Sequence, residues 1–125
     1  MLGRKKKVEP PLRADLAEKA GSRLVKVLRG QMRLAERHLA PDETVVAVSN
    51  AGTSVVVLTD RRIVSAFKDM FDERVDITPL GQVSGVVVSG RGPVVNMTLA
   101  KPGAQVDFRK VGREFAEAVQ AATTR

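Results

Sequence analysis

Residues 43–67 read ETVVAVSNAGTSVVVLTDRRIVSAF. Three β-branched runs, 43–49, 54–59 and 62–67, are separated by Asn50-Ala51-Gly52-Thr53 and by Asp60-Arg61. Apolar residues recur with a period close to two, and Val, Ile and Thr fit a pleated surface, so each run reads as a strand. The gaps are turns by composition. Asn and Gly tolerate the backbone that tight turns need, and Asp60 can hydrogen-bond the turn it begins. Connections this short cannot hold a crossover helix of about a dozen residues, so neighbouring strands pair antiparallel.

The same pattern continues downstream. Residues 68–72 lead to a fourth run near 73–77, and Pro79-Leu80-Gly81 turns into a fifth at 82–89, with a bulge expected at Gly85. Gly90-Arg91-Gly92-Pro93 precedes a sixth run at 94–99. Lys101-Pro102-Gly103, proline and glycine in type II order, precedes a seventh at 104–109. Residues 111–122 return to helical spacing. Phe115, Val119 and Ala122 share one side, and Glu114 and Glu117 lie in the first half, where negative charge suits the dipole.

Upstream, residues 12–39 form an amphipathic helical pattern. Leu12, Leu16, Ala20, Leu24, Leu28 and Leu39 fall on one broad side at about 100° per residue, filled in by Ala17, Val27, Leu34 and Ala35. Gly21-Ser22 marks a break, giving helices over 12–20 and 22–39, and Pro41 stops the pattern. Unbroken, the segment would be about 42 Å long, longer than one face of the domain that follows. Some of its apolar side then needs cover from elsewhere, unless it breaks and folds back. The expectation is self-association, or a protein partner, on the apolar face of 12–39, centred on Leu24 and Leu28.

Charge is distributed unevenly. The formal net charge is +7, from 21 basic and 14 acidic residues. Residues 1–40 hold eleven bases and four acids, whereas 41–125 hold ten of each. Arg4, Lys5, Lys6 and Lys7 make a like-charged run in a segment, 1–11, that reads as a disordered basic arm. Lys19, Arg23, Lys26, Arg29, Arg33 and Arg37 lie on the polar side of 12–40. These ten residues are the candidate contacts for a polyanion, either nucleic acid or anionic lipid. There is no Trp or Tyr, and Phe108 and Phe115 read as core, leaving Phe67 and Phe71. A stacking platform for single strands is therefore not expected.

Several classes of chemistry fall away. No cysteine is present, and His38 is the single histidine, read as packing or capping the end of its helix. Asp69, Asp72, Glu73 and Asp76 crowd one loop, but no 12-residue calcium pattern fits them, so they read as a solvated acidic face. Gly90-Arg91-Gly92-Pro93 lacks the Lys-Ser/Thr of a phosphate loop. No catalytic set, metal site or cofactor is expected, and the chain is read as no enzyme. No run of 18 apolar residues is present, so no membrane-spanning segment is expected. The expected location is cytoplasmic, or peripheral at a membrane. Arg61, at an exposed hairpin corner, is the one candidate ligand contact in the β region.

Four phrases, in order, carry a family resemblance: Pro41 and Glu43 before the first strand; Leu58, Thr59 and Arg62 at the second hairpin; Ile77, Pro79 and Leu80 before the fifth strand; and Phe108 through Val119. Over residues 41–121 the chain resembles the bacterial PH-like domains, with an extra Thr78 between Ile77 and Pro79 as a departure. The resemblance implies a mainly β, PH-like fold. Its two near-orthogonal antiparallel sheets, of four and three strands, are closed by a C-terminal helix, here occupying 41–125 behind the N-terminal helical segment. It also implies a binding or assembly module. Eukaryotic PH domains that bind phosphoinositides place bases in the first hairpin loop. Residues 50–53 contain none, so the resemblance does not extend to a site of that kind.

Overall fold

The structure is a computed structural model that describes residues 10–124. Arg4, Lys5, Lys6 and Lys7, and with them nearly all of the expected arm, lie outside the described residues. Three short helices come first: α1 (Ala14–Ala20), α2 (Ser22–Val27) and α3 (Arg29–Glu36). Seven strands follow: β1 (Val45–Ala51), β2 (Ser54–Thr59), β3 (Arg62–Lys68), β4 (Glu73–Pro79), β5 (Gly85–Ser89), β6 (Val94–Lys101) and β7 (Ala104–Gly112). After β7 comes α4 (Arg113–Thr123). The strands form two antiparallel sheets, in the orders β1-β2-β3-β4 and β5-β6-β7. The fold is mainly β, with the expected strand number, sheet sizes and C-terminal helix.

Strand β2 shows how the layers are held. Residues 55–59 are all buried. Val56 and Leu58 face a core shared with the second sheet and α4, among Ile63, Met97, Leu99 and Phe115. Val55 and Val57 face the other way, into a core with Leu16, Leu28, Met32 and Val64. An unbroken apolar run, rather than alternation, is what a strand covered on both faces requires. Burying a Leu or Met side chain contributes about 1.5–3 kcal/mol. Leu16, Leu28, Met32 and Leu34 together therefore contribute as much as the net stability of an ordinary domain. The helical layer is part of the fold's stability.

The long helix does not form. Gly21, at φ 86°, separates α1 from α2, as its position predicts. A second break falls at Leu28 (φ −116°, ψ 41°), which carries no glycine or proline signal. A β-sheet twists, and three short segments follow it where a straight rod would leave it. The apolar face expected to meet a second copy is thus largely spent on this chain's own sheet. Val27, counted with that face, is instead 68% exposed, because the break at Leu28 resets the phase between α2 and α3.

Several strand boundaries also differ from expectation, those of β1 and β5 among them. β1 begins at Val45 because Glu43 turns away into an ion pair, and it runs on through Asn50 and Ala51, which leaves a two-residue turn with Gly52 at φ 61°. Residues 80–82 form a 3-10 turn, so β5 starts only at Gly85, which pairs with Ala100 in unbroken register. Register shifts fall elsewhere, between Val45 and Ala47 of β1 against β2 and between Val95 and Met97 of β6 against β7. At the latter, Lys110 adopts φ 60° and donates its N–H to Asn96 Oδ1 at 3.2 Å.

Candidate functional site

The Thr59-Asp60-Arg61-Arg62 corner is tied down from several sides. Thr59 Oγ1 accepts the N–H groups of Arg61 (3.0 Å) and Arg62 (2.9 Å), the turn-holding role expected of Asp60. Asp60 Oδ1 instead accepts the Thr44 N–H at 3.0 Å. Arg62 pairs with Glu43, whose side chain is fully buried, and also donates to the His38 carbonyl. Arg61 pairs with Asp42 at 2.8 Å. A hydrogen bond from Arg61, reinforced by its charge, lowers the Asp42 carboxyl. These contacts fasten the end of the helical segment to the sheet, and Arg61, the candidate ligand contact, is engaged in them. His38 is exposed and not packed in a core; its carbonyl is the part in use.

At the other end of the segment, Asp15 Oδ2 accepts the Val45 N–H at 3.1 Å, thirty residues away in sequence. Burial pushes the Asp15 carboxyl up, but that bond, Arg13 and the Leu16 N–H outweigh it and hold it low.

The six helical bases are not brought onto one stripe. Lys19 lies on α1, Arg23 and Lys26 on α2, and Arg29, Arg33 and Arg37 along α3 and its end, with the breaks at Gly21 and Leu28 between the groups. On α3 the spacing of four survives. Arg29, Arg33 and Arg37 line a groove of about 400 Å³ together with Lys68 of β3 and Pro10, the first described residue. Gly30 lies over Lys68 here: a Cβ at that position would meet Lys68 Cδ at an ordinary contact distance of 3.5 Å. Arg33 is fixed by Glu36 at 3.3 Å and by the Pro10 carbonyl.

The turn at 69–72, between β3 and β4, presents two large apolar side chains to solvent. Met70 is 90% and Phe71 92% exposed. Asp69 Oδ1 accepts the N–H groups of Phe71 and Asp72, both at 2.8 Å, and the Asp69 N–H donates to the Asp72 carbonyl at 2.9 Å. Lys68–Glu73 (3.1 Å) and Arg74–Asp72 (2.8 Å) brace the base of the turn. The acidic residues of this loop are thus used in the turn and its pairs. Among the described residues no group of three His, Asp or Glu side chains is placed to hold a metal. The exposure of Met70 and Phe71 was not anticipated from sequence. Its signal was an apolar pair inside KDMFDE, where turn chemistry asks for polar residues.

Two further grooves flank these elements. One, of about 700 Å³, lies between the sheets and mixes Glu73, Asp76 and Asp107 with Arg74 and Arg109. The other, of about 540 Å³, lies between α2 and the first hairpin. Its lining is mixed: Leu24, Val27, Leu28 and Val48 lie beside Ser49, Asn50 and Thr53 of the hairpin, with Arg23 as the single charged residue there.

No protein-family model matches the sequence. No curated protein matches it either. Solved structures do match. A pleckstrin homology domain from Shewanella amazonensis SB2B superposes with a TM-score of 0.59, over 78% of this chain and 89% of that one, at 12% identity. A DUF1696-family protein with a pleckstrin-homology domain, from Shewanella loihica PV-4, gives a TM-score of 0.58 over 78% and 93%, at 10% identity. The chain has the bacterial PH-like fold.

Identity this low carries the fold and leaves the chemistry to the residues of this chain. In this PH-like domain the first hairpin turn, Gly52-Thr53, holds no base. The bases sit on the added helical layer, and the exposed apolar pair sits on the turn between β3 and β4. No helix among the described residues is long and apolar enough to cross a membrane.

Proposed function

We propose that this PH-like domain is a non-enzymatic binding module that acts through protein contacts, with the 69–72 turn as its anchor. The exposure of Met70 and Phe71 carries the reading. Aromatic and large apolar side chains dominate interface energetics, and a turn held by Asp69 presents them with little ordering cost. Asp69, Asp72 and Glu73 surround the pair, which suits a protein surface better than an anionic membrane. The ionisable groups support the non-enzymatic part. The buried carboxylate, Glu43, is held ionised at about 2 by its ion pair, far from the neutral range useful to a general acid or base. A photo-cross-linking phenylalanine analogue at position 71, irradiated in the producing cell, tests the proposal. Covalent protein adducts support it. Lipid adducts alone, or none, overturn it.

A second reading has its own observation, the convergence of Arg29, Arg33, Arg37 and Lys68 on one groove. We infer from it a polyanion contact through backbone phosphates, without base readout.

A further inference from the structure

The geometry points to a second copy of this chain as the occupant of the groove beside α2, each copy seating its 69–72 turn in the groove of the other. The inference rests on the protein-contact reading and names the partner.

Placement is the first support. Val55 pairs with Ala66, and Lys68 with Glu73, so the turns at 52–53 and 69–72 lie at the same end of the four-stranded sheet. They are two strand positions apart, about 10 Å at ordinary strand spacing. The first hairpin forms one wall of that groove. Projection and groove thus share one end of one molecule. A two-fold axis between them carries each projection to the other copy's groove and closes the assembly.

Chemistry is the second. The projection is an apolar pair, Met70 and Phe71, between Asp69 and Asp72. The groove sets Leu24, Val27, Leu28 and Val48 beside the polar hairpin residues Ser49, Asn50 and Thr53, carries Arg23 and no carboxylate in its lining, and lies on helices that also carry exposed Lys19 and Lys26. Val27, 68% exposed, lines it. Phe71 seated there covers the largest apolar exposures on both surfaces at once, with acid against base around them. The basic groove of α3 has no Leu, Val, Ile, Met or Phe side chain in its lining and includes Glu36. Each contact is small, and the pair of them belongs among the small interfaces below about 1,200 Å², so the dimer is reversible.

The test is sedimentation of the full chain at concentrations up to about 1 mM, the weak end of protein affinities. The wild type should pass from monomer to dimer within that range. Phe71→Asp and Val27→Asp should each stay monomeric with unchanged circular dichroism and melting temperature, since both side chains are exposed. A wild type that remains monomeric, or variants that dimerise like the wild type, overturns the inference. Cross-links from position 71 into another protein, beside a monomeric wild type, overturn it and leave the protein-contact reading standing. Loss of binding to phosphatidylserine vesicles in monomeric Phe71→Asp, without protein cross-links, overturns both.

Discussion

Replacing Glu43 with Gln removes one charge from the join between helical segment and sheet and leaves the volume nearly unchanged. In the wild type the carboxylate is fully buried. It accepts from Arg62 Nε at 3.0 Å, from the Ala40 N–H at 2.9 Å, and from Arg62 Nη2 and Thr59 Oγ1. Burial pushes the group up, but those hydrogen bonds and the Arg62 charge outweigh it and hold the pKa at about 2. A glutamate in an unfolded chain titrates near 4.3, and each unit of difference corresponds to about 1.4 kcal/mol. The folded value is the depressed one. Its stabilisation is therefore complete above the unfolded value and is lost as pH falls from about 5 to about 2, some 3 kcal/mol in all. That is a large part of a typical net stability of about 5–15 kcal/mol. Glu43→Gln should thus be less stable than wild type at neutral pH by about 3–5 kcal/mol, Arg62 being left partly buried without its partner. The difference should shrink toward pH 2. Urea unfolding followed by circular dichroism, compared between the two proteins across that range, measures it. Subtraction cancels the other carboxylates held low, Asp15 and Asp42. Equal stability at neutral pH, or a gap that does not narrow in acid, refutes the reasoning. The double change Glu43→Leu with Arg62→Met should lie near wild type at neutral pH, since apolar replacement of a whole buried pair is often neutral.

Met32 is fully buried between α3 and the first sheet, so Met32→Ala should cost about 2–5 kcal/mol in chemical unfolding. A cost near zero would mean that the helical layer does not pack as described. Leu28→Glu should unfold the protein cooperatively rather than release a folded β domain, because the layer covers Val55 and Val57. Arg29→Glu with Arg37→Glu should weaken binding to duplex DNA and to anionic vesicles and flatten the salt dependence by about two phosphate contacts. A wild type that binds neither at about 50 mM salt removes the polyanion reading altogether.

Much of the fold was legible because it is local. Two-residue periodicity, turns rich in Asn, Gly and Pro, and short connections fix seven strands and their antiparallel order without knowledge of the partner surfaces. The VVVL run at 55–58 also held, unread, the news that β2 is covered on both sides. The site was harder to read. Arg29, Arg33 and Arg37 were recognisable as one side of a helix, but Lys68 joins them only because α3 lies across β3 at Gly30. In the sequence, 69–72 is a short connection within an acidic cluster. Nothing local says that its two apolar residues find no cover.

By itself, then, the sequence determined the period of each segment, the number and order of strands, and the concentration of positive charge ahead of residue 41, since these depend on residues within a few positions of each other. Tertiary structure alone decided what the amphipathic face of 12–39 covers, because that turns on the break at Leu28 and on the twist of a sheet built from residues far along the chain. It also decided that Glu43 is buried and ionised, through a partner nineteen residues away, and that Met70, Phe71 and Val27 stay in solvent. Burial is a property of the space around a side chain, and periodicity gives only the direction in which that side chain points.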